Sequence, residues 1–177
     1  MSSTRASKFL ALVLRHQPEL VGIELDDAGW TDVDALLAAC ATRGVRLTHD
    51  ELRALVVGSD KQRFALSVDG RRIRANQGHS VTVELGLPDA VPPARLYHGT
   101  YPGAVASIRA QGLLKGQRHA VHLAADTMTA SKVGMRRGAP VILIVRADEM
   151  AAAGHRFQVS TNGVWLTEHV PPAFIEP

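Results

Sequence analysis

Residues Arg63 to Ala75 read RFALSVDGRRIRA. Phe64, Leu66 and Val68 alternate with smaller or polar neighbours, Asp69-Gly70 follows, and a second short run carries Ile73. Period-two alternation on either side of an Asp-Gly pair predicts a β-hairpin closed by a two-residue turn. Upstream the period changes. Ala6, Phe9, Leu10 and Val13 recur at i, i+3, i+4 and i+7, which predicts a helix over 4–16 with one apolar stripe. Thr31 is placed to N-cap a helix through VDALLAACATR, with Gly44 just past its end. Thr48-His49-Asp50-Glu51 is a capping box opening ELRALVV, closed at Gly58.

Three short helices followed by a hairpin is the element order of a winged-helix module. The first helix ends unusually. Its apolar run stops at Arg15-His16, directly before Gln17-Pro18, and Pro18 disfavours helix at Gln17. At about 100° per residue, Arg15 lies opposite the apolar stripe and His16 on its flank. The two side chains therefore stand at a fixed place outside the helix's own core.

After GLPDAVPPA, residues 86–94 with three prolines, the pattern changes again, so this stretch is the expected linker. Beyond it RLYHGT reads as extended. Pro102 opens a helix through GAVASIRAQ that Gly112 ends. AVHLA is a short strand, DTMTASKVGMRRG a helix, and PVILIVRA a buried strand. FQVSTNGVWLTEHV reads as two strands around Asn162-Gly163. The expected fold class is α+β in two lobes: 1–85, a linker at 86–94, and 95–177.

Composition narrows the function classes. The chain has 177 residues, 46% apolar and 21% charged, which is globular composition. No segment approaches the roughly 20 apolar residues of a membrane span, and no cleavage site follows the run 9–14, so a cytoplasmic protein is expected. Cys40 is the only cysteine, which excludes an intrachain disulfide. His119 and His122 are spaced His-x-x-His, but the HExxH pattern and further ligands are lacking, so no metal is expected. The formal charge is +3, and only Lys8, Lys61, Lys115 and Lys132 among 20 basic residues are lysine. Arginine grips phosphate and carboxylate in a bidentate fork, so the balance permits an anionic partner. Genomic codon bias in an alanine-rich chain accounts for it equally well.

Three places put charge where structure alone does not need it: Arg15-His16, Arg63 within SDKQRFAL, and Arg118 within KGQRHAVHL. Each alone reads as a solvated surface residue; together they could clamp a phosphate. LYHGT adds His98 and Thr100 as hydrogen-bonding groups around Gly99, which would let a ligand approach the backbone. There is no GxGxxG and no P-loop.

In chain order, LRHQPELVGIELDDAGW, SDKQRFAL, IRANQGHS, LYHGT, the VHL strand after Arg118, and NGVWLT resemble the NAD-dependent RNA 2′-phosphotransferases of the KptA type. The matches run from Ser7 to Pro171; each motif is unspecific, but the ordered set is not. The resemblance implies an N-terminal winged-helix lobe that handles RNA and a C-terminal ADP-ribosyltransferase-like lobe that binds NAD⁺, with the active site in the cleft between them. It implies removal of an internal RNA 2′-phosphate, such as a tRNA splice junction carries. The phosphate attacks the anomeric carbon of the nicotinamide ribose and expels nicotinamide, giving a 2′-phospho-ADP-ribosylated RNA. The ribose 2″-hydroxyl then attacks phosphorus and releases 2′-hydroxyl RNA and ADP-ribose 1″,2″-cyclic phosphate.

The family's Arg-His-Arg-Arg catalytic set carries over to Arg15, His16, Arg63 and Arg118. A phosphate nucleophile is already an anion, so the first step needs aim and charge neutralisation rather than a base. Histidine titrates near neutral pH, so His16 is expected to matter more in the second step, where a hydroxyl loses its proton. For NAD⁺ the resemblance points to His98, Gly99 and Thr100, with Ser107 and the Gly112 turn nearby. Val164 and Trp165 stand where many ADP-ribosyltransferases carry a late glutamate, and Glu168 is not given that role. Arg71, Arg72 and Arg74 on the hairpin are the expected RNA-backbone contacts, with a solvated strand face the equal alternative. Gln77-Gly78-His79 matches the family string without an assigned role. The protein is expected to be a monomer. Two other readings use the same residues: an ADP-ribosyltransferase capping terminal phosphates, and a non-enzymatic winged-helix regulator.

Overall fold

The computed structural model describes residues 3–59, 62–135 and 138–176. Asp60-Lys61 of SDKQRFAL and Arg136-Arg137 of the predicted helix 126–138 lie outside the described residues. The chain is mixed α/β, with six α-helices among the described residues and several small sheets. It divides into two compact units, Met1–Gly86 and Leu87–Pro177.

In the first unit α1 spans Ser3–Arg15, α2 Val33–Thr42 and α3 His49–Val57. A three-stranded antiparallel sheet of β1 (Thr31–Asp32), β2 (Phe64–Leu66) and β3 (Arg72–Ala75) runs in the order β1-β3-β2. Leu10, Val13 and Leu14 of α1 pack with Leu36, Leu52, Phe64 and Ile73 into one core. The capping box at Thr48 and Glu51 forms in both directions. The N-cap of α2 is Asp32 rather than Thr31: its Oδ1 accepts from Ala35 N at 2.9 Å. Thr31 is instead drawn into the sheet opposite Ile73, a pairing no local signal announces.

The hairpin forms, but its connection is longer than two residues. Ser67 N–H donates to Arg72 O, and Gly70 N–H donates to Ser67 O. The Ser67 hydroxyl and Asp69 carboxylate then tie the loop internally at 2.6 Å. Gly70 takes φ +72°, which closes the turn without strain. Val68 consequently leaves the strand and is fully exposed.

Cys40 is buried in this core, and burial pushes its thiol up to about 11. Only the thiolate is a nucleophile. Cys40 is therefore expected to resist alkylation at pH 8 in the folded protein and to react once urea unfolds it; equal labelling in both states would refute this.

In the second unit β4 (Arg95–Thr100) pairs antiparallel with β7 (Val141–Arg146) over six residue pairs. β6 (Val121–Leu123), β8 (Gln158–Val159) and β9 (Trp165–Thr167) form a second sheet in the order β6-β9-β8. β5 (Leu113–Leu114) pairs with β10 (His169–Val170). The helices are α4 (Pro102–Gln111), α5 (Thr127–Gly134) and a short α6 (Ala147–Ala152), the last not anticipated from sequence. Leu96, Leu123, Leu143, Val145, Met150 and Phe157 centre the core. The proline-rich stretch is tied into this unit: Ala90 N–H donates to Phe157 O, Gln158 Nε2 donates to Leu87 O, and Arg156 pairs with Asp89 at 2.8 Å.

Gly99 has a packing role. A Cβ on it would lie 2.6 Å from Ala130 C and closer still to Ala130 O, so the missing side chain admits the backbone of α5. Thr100 beside it is buried.

Candidate active site

In the first unit, charge gathers where α1 stops. His16 N–H and Gln17 N–H both donate to Leu12 O, and Pro18 opens a 3-10 turn. A helix C-terminus leaves carbonyls without intrahelical partners. Here the Arg15 carbonyl accepts from Ser80 N–H at 2.8 Å and Val81 N–H at 3.3 Å. The Ser80 hydroxyl lies 2.9 Å from His16 Nδ1. Gly78, at φ +89°, lies against the Arg15 guanidinium, where a Cβ would be 3.6 Å from Nη1.

Arg63 enters the same place from the start of β2. Arg15 Nη2 donates to its carbonyl at 3.4 Å, and Arg63 Nη1 donates to Ser7 Oγ at 3.2 Å. Asn76 N–H donates to the Arg63 carbonyl and Asn76 Nδ2 to that of Gln62. Gln62 holds φ +38°, a conformation uncommon for a non-glycine residue, and this amide contact helps hold it. Arg15, His16 and Arg63 are thus brought together, 48 residues apart in sequence, by α1, β2 and the segment 76–81.

The three hairpin arginines part company. Arg72 pairs with Asp26 and lies 5.7 Å from the Trp30 ring centroid. Arg74 stacks on the same ring at 4.7 Å and is half-buried, with Nη1 donating to Ala28 O. Both are engaged with Trp30, an interaction characteristic of arginine. Arg71 stands exposed on the turn.

The second unit carries a cleft of about 360 Å³, lined by His98, Ser107, Gln111, Gly112, Arg118 and His122 among others. That size suits a ligand site. His98 Nδ1–H donates to His122 O at 3.1 Å, so the neutral ring offers Nε2 as its acceptor. Burial, with the nearby Arg118 charge, holds His98 below its ordinary value of 6.5, against the pull of that hydrogen bond. Arg118 Nη1–H donates to His122 Nδ1 at 2.6 Å, which leaves the neutral His122 ring its proton on Nε2. Gly112, at φ +81°, closes α4 where a Cβ would overlap Val170 O. The cleft thus offers two histidines, a hydroxyl, an amide, Arg118 and Lys115, groups that could hydrogen-bond the sugars and phosphates of a dinucleotide. Gly99 and Thr100 do not line it.

His98 gives a pH test. A depressed folded value means the unfolded chain binds more protons on acidification, so stability is full above about pH 6.5 and falls as pH drops through the folded value. The thermal midpoint is expected to fall below pH 6.5, and less steeply in His98→Asn, whose amide can keep the bond to His122 O. Parallel curves for the two proteins would assign the effect elsewhere.

Another cleft in this unit, about 590 Å³, is lined by Lys115, His119, His155 and Arg156. Its two fixed cations are paired, Lys115 with Glu168 at 3.1 Å and Arg156 with Asp89.

The model of the family described as RNA 2′-phosphotransferase, Tpt1 / KptA family, matches residues 1–169. The chain belongs to this family. A protein of Pseudomonas aeruginosa strain UCBPP-PA14 is 55% identical over 96% of this chain and 93% of its own. Relatives in Burkholderia pseudomallei and Streptomyces coelicolor are each 51% identical over 98% of this chain, covering 95% and 94% of theirs. All three are named "Probable RNA 2'-phosphotransferase".

Against this RNA 2′-phosphotransferase background, two contacts went unread in the sequence. In the sequence His122 reads only as half of a His-x-x-His pair. Alternation within VHL would have flagged it, since Val121 and Leu123 are buried and His122 faces the cleft. Ser80 stands in the sequence only as the last residue of IRANQGHS, without a role, because its partner His16 is 64 residues away.

Proposed function

We propose that the protein removes an internal 2′-phosphate from RNA by transferring it to NAD⁺, as a winged-helix RNA lobe joined to an ADP-ribosyltransferase-like NAD lobe. The observation that carries the reading is the convergence of Arg15, His16 and Arg63 at one edge of the first unit, in a chain of this family. Two guanidiniums and an imidazole suit a phosphate dianion.

Arg15 and Arg63 grip the 2′-phosphate, neutralise it in part and aim one of its oxygens. That oxygen forms a bond to the anomeric carbon of the nicotinamide ribose, and nicotinamide leaves with the electron pair of its glycosidic bond. Arg118, with the His98 cleft, holds the NAD⁺ side. In the second step the ribose 2″-oxygen bonds to phosphorus, the RNA 2′-oxygen departs, and His16 relays the proton from the attacking hydroxyl towards the leaving oxygen. The same arginines stabilise the charge that accumulates on the phosphoryl oxygens.

The test uses a short RNA with one internal 2′-phosphate, incubated with protein and NAD⁺, its products resolved by mass. The expected products are 2′-hydroxyl RNA, nicotinamide and ADP-ribose 1″,2″-cyclic phosphate. ADP-ribose retained on the RNA as the end product would favour phosphate capping. Intact NAD⁺ beside folded protein would overturn the enzymatic reading.

A further inference from the structure

The segment Asn76–Val81 has no role in the chemistry above, yet it touches the whole first-unit cluster. Asn76 fastens the Gln62 and Arg63 backbone at 2.5 and 2.9 Å. Gly78 lets the chain pass beside the Arg15 guanidinium. His79 is fully buried, with its ring against Gly29, where a Cβ would stand 3.3 Å from Nε2. That burial anchors the segment from below. Ser80 then makes two separate contacts. Its N–H binds the Arg15 carbonyl, and its hydroxyl meets His16 Nδ1 at 2.9 Å.

We infer that Ser80 is a positioning residue for His16: its hydroxyl holds one edge of the imidazole, so that Nε2 is the atom presented to the reactants. This rests on the role proposed above for His16. The chemistry demands such a device. A histidine beyond a helix end has two free side-chain torsions and two tautomers, whereas a proton relay needs one nitrogen at one place. A hydroxyl is a suitable partner, because its oxygen accepts from Nδ1–H both in the neutral ring, whose Nε2 then takes the proton, and in the imidazolium. It therefore stays in contact as the ring gains and loses a proton. The backbone bonds from Ser80 and Val81 to Arg15 do not need the side chain, so the helix end survives its removal.

The experiment compares Ser80→Ala and Ser80→Thr with the unmodified full chain. The ¹⁵N shifts of the His16 ring are read without ligand, and the two chemical steps are timed on 2′-phosphorylated RNA with NAD⁺. The unmodified protein and Ser80→Thr should show one dominant His16 tautomer. Ser80→Ala should show averaging between the two and a second step slower by about tenfold, part of the 10²–10⁴-fold that a placed acid–base supplies. Its 2′-phospho-ADP-ribosylated RNA should accumulate, with the thermal midpoint held near that of the parent. An unchanged tautomer balance and an unchanged second step in Ser80→Ala would overturn the inference. So would a loss that Ser80→Thr fails to restore, or one explained by a lowered midpoint. Failure of the unmodified protein to consume NAD⁺ would instead strike the proposed function, while the ring spectra would still report on the contact.

Discussion

Arg15→Ala is expected to slow removal of the 2′-phosphate by about 10²–10³-fold, the usual loss when one preorganised charge stabiliser is removed. The fold should survive. What ties the end of α1 to the segment 76–81 is the Arg15 carbonyl, which receives Ser80 N–H and Val81 N–H, and the substitution leaves that carbonyl in place. Arg15→Lys should recover little of the activity. Lysine is a point charge on a flexible stem, whereas the planar guanidinium offers parallel donors to two phosphate oxygens. Single-turnover rates on 2′-phosphorylated RNA, set beside thermal midpoints, check both variants. A lysine variant with near-parental rates would show that charge alone suffices there and would remove the bidentate grip from the mechanism.

Gly99→Ala is expected to cost folding stability rather than substrate affinity. The added methyl would overlap the Ala130 carbonyl and crowd Gly134 N, and these backbone atoms of α5 include no flexible group to yield. Overpacking of this kind costs about 3 kcal/mol or more. Gly116→Ala is the comparison: nothing lies within 4 Å of its Cβ, and only its φ of +60° opposes the change, a cost of about 1 kcal/mol. Urea unfolding midpoints should separate the two clearly. A Gly99→Ala protein that folds as stably as its parent but no longer binds NAD⁺ would instead support the ligand-approach reading of His98-Gly99-Thr100.

These two residues mark what could be read along the chain. Arg15 stands out because α1 stops on an arginine and a histidine directly before Gln17-Pro18. The period of Ala6, Leu10 and Val13 fixed which face would be buried, and the Thr48–Glu51 capping box fixed where α3 begins. Such signals act within a few residues, through torsions and local hydrogen bonds. The ordered motifs from Ser7 to Pro171 also pointed to the family that the comparison shows. Gly99 carried a different message: a glycine in a strand announces a close approach without saying of what, and the neighbour turned out to be α5.

What local signals could not decide depends on partners distant in sequence. Thr31 gave up the N-cap to Asp32 because β3, about 40 residues on, offered it a strand to join. Arg72 and Arg74 read in the sequence as part of one basic row; that Trp30 and Asp26 meet them across the fold was not legible there. Arg118 was visible in sequence, whereas its bond to His122 and the histidine-lined cleft were not. By itself the sequence determined five of the six described helices, the hairpin and the identity of the charged residues, since these follow from short-range periodicity and capping. Only the tertiary structure decided which of those charges stand together. Burial, ring orientation and hydrogen-bond partners arise when segments far apart in the chain pack against one another.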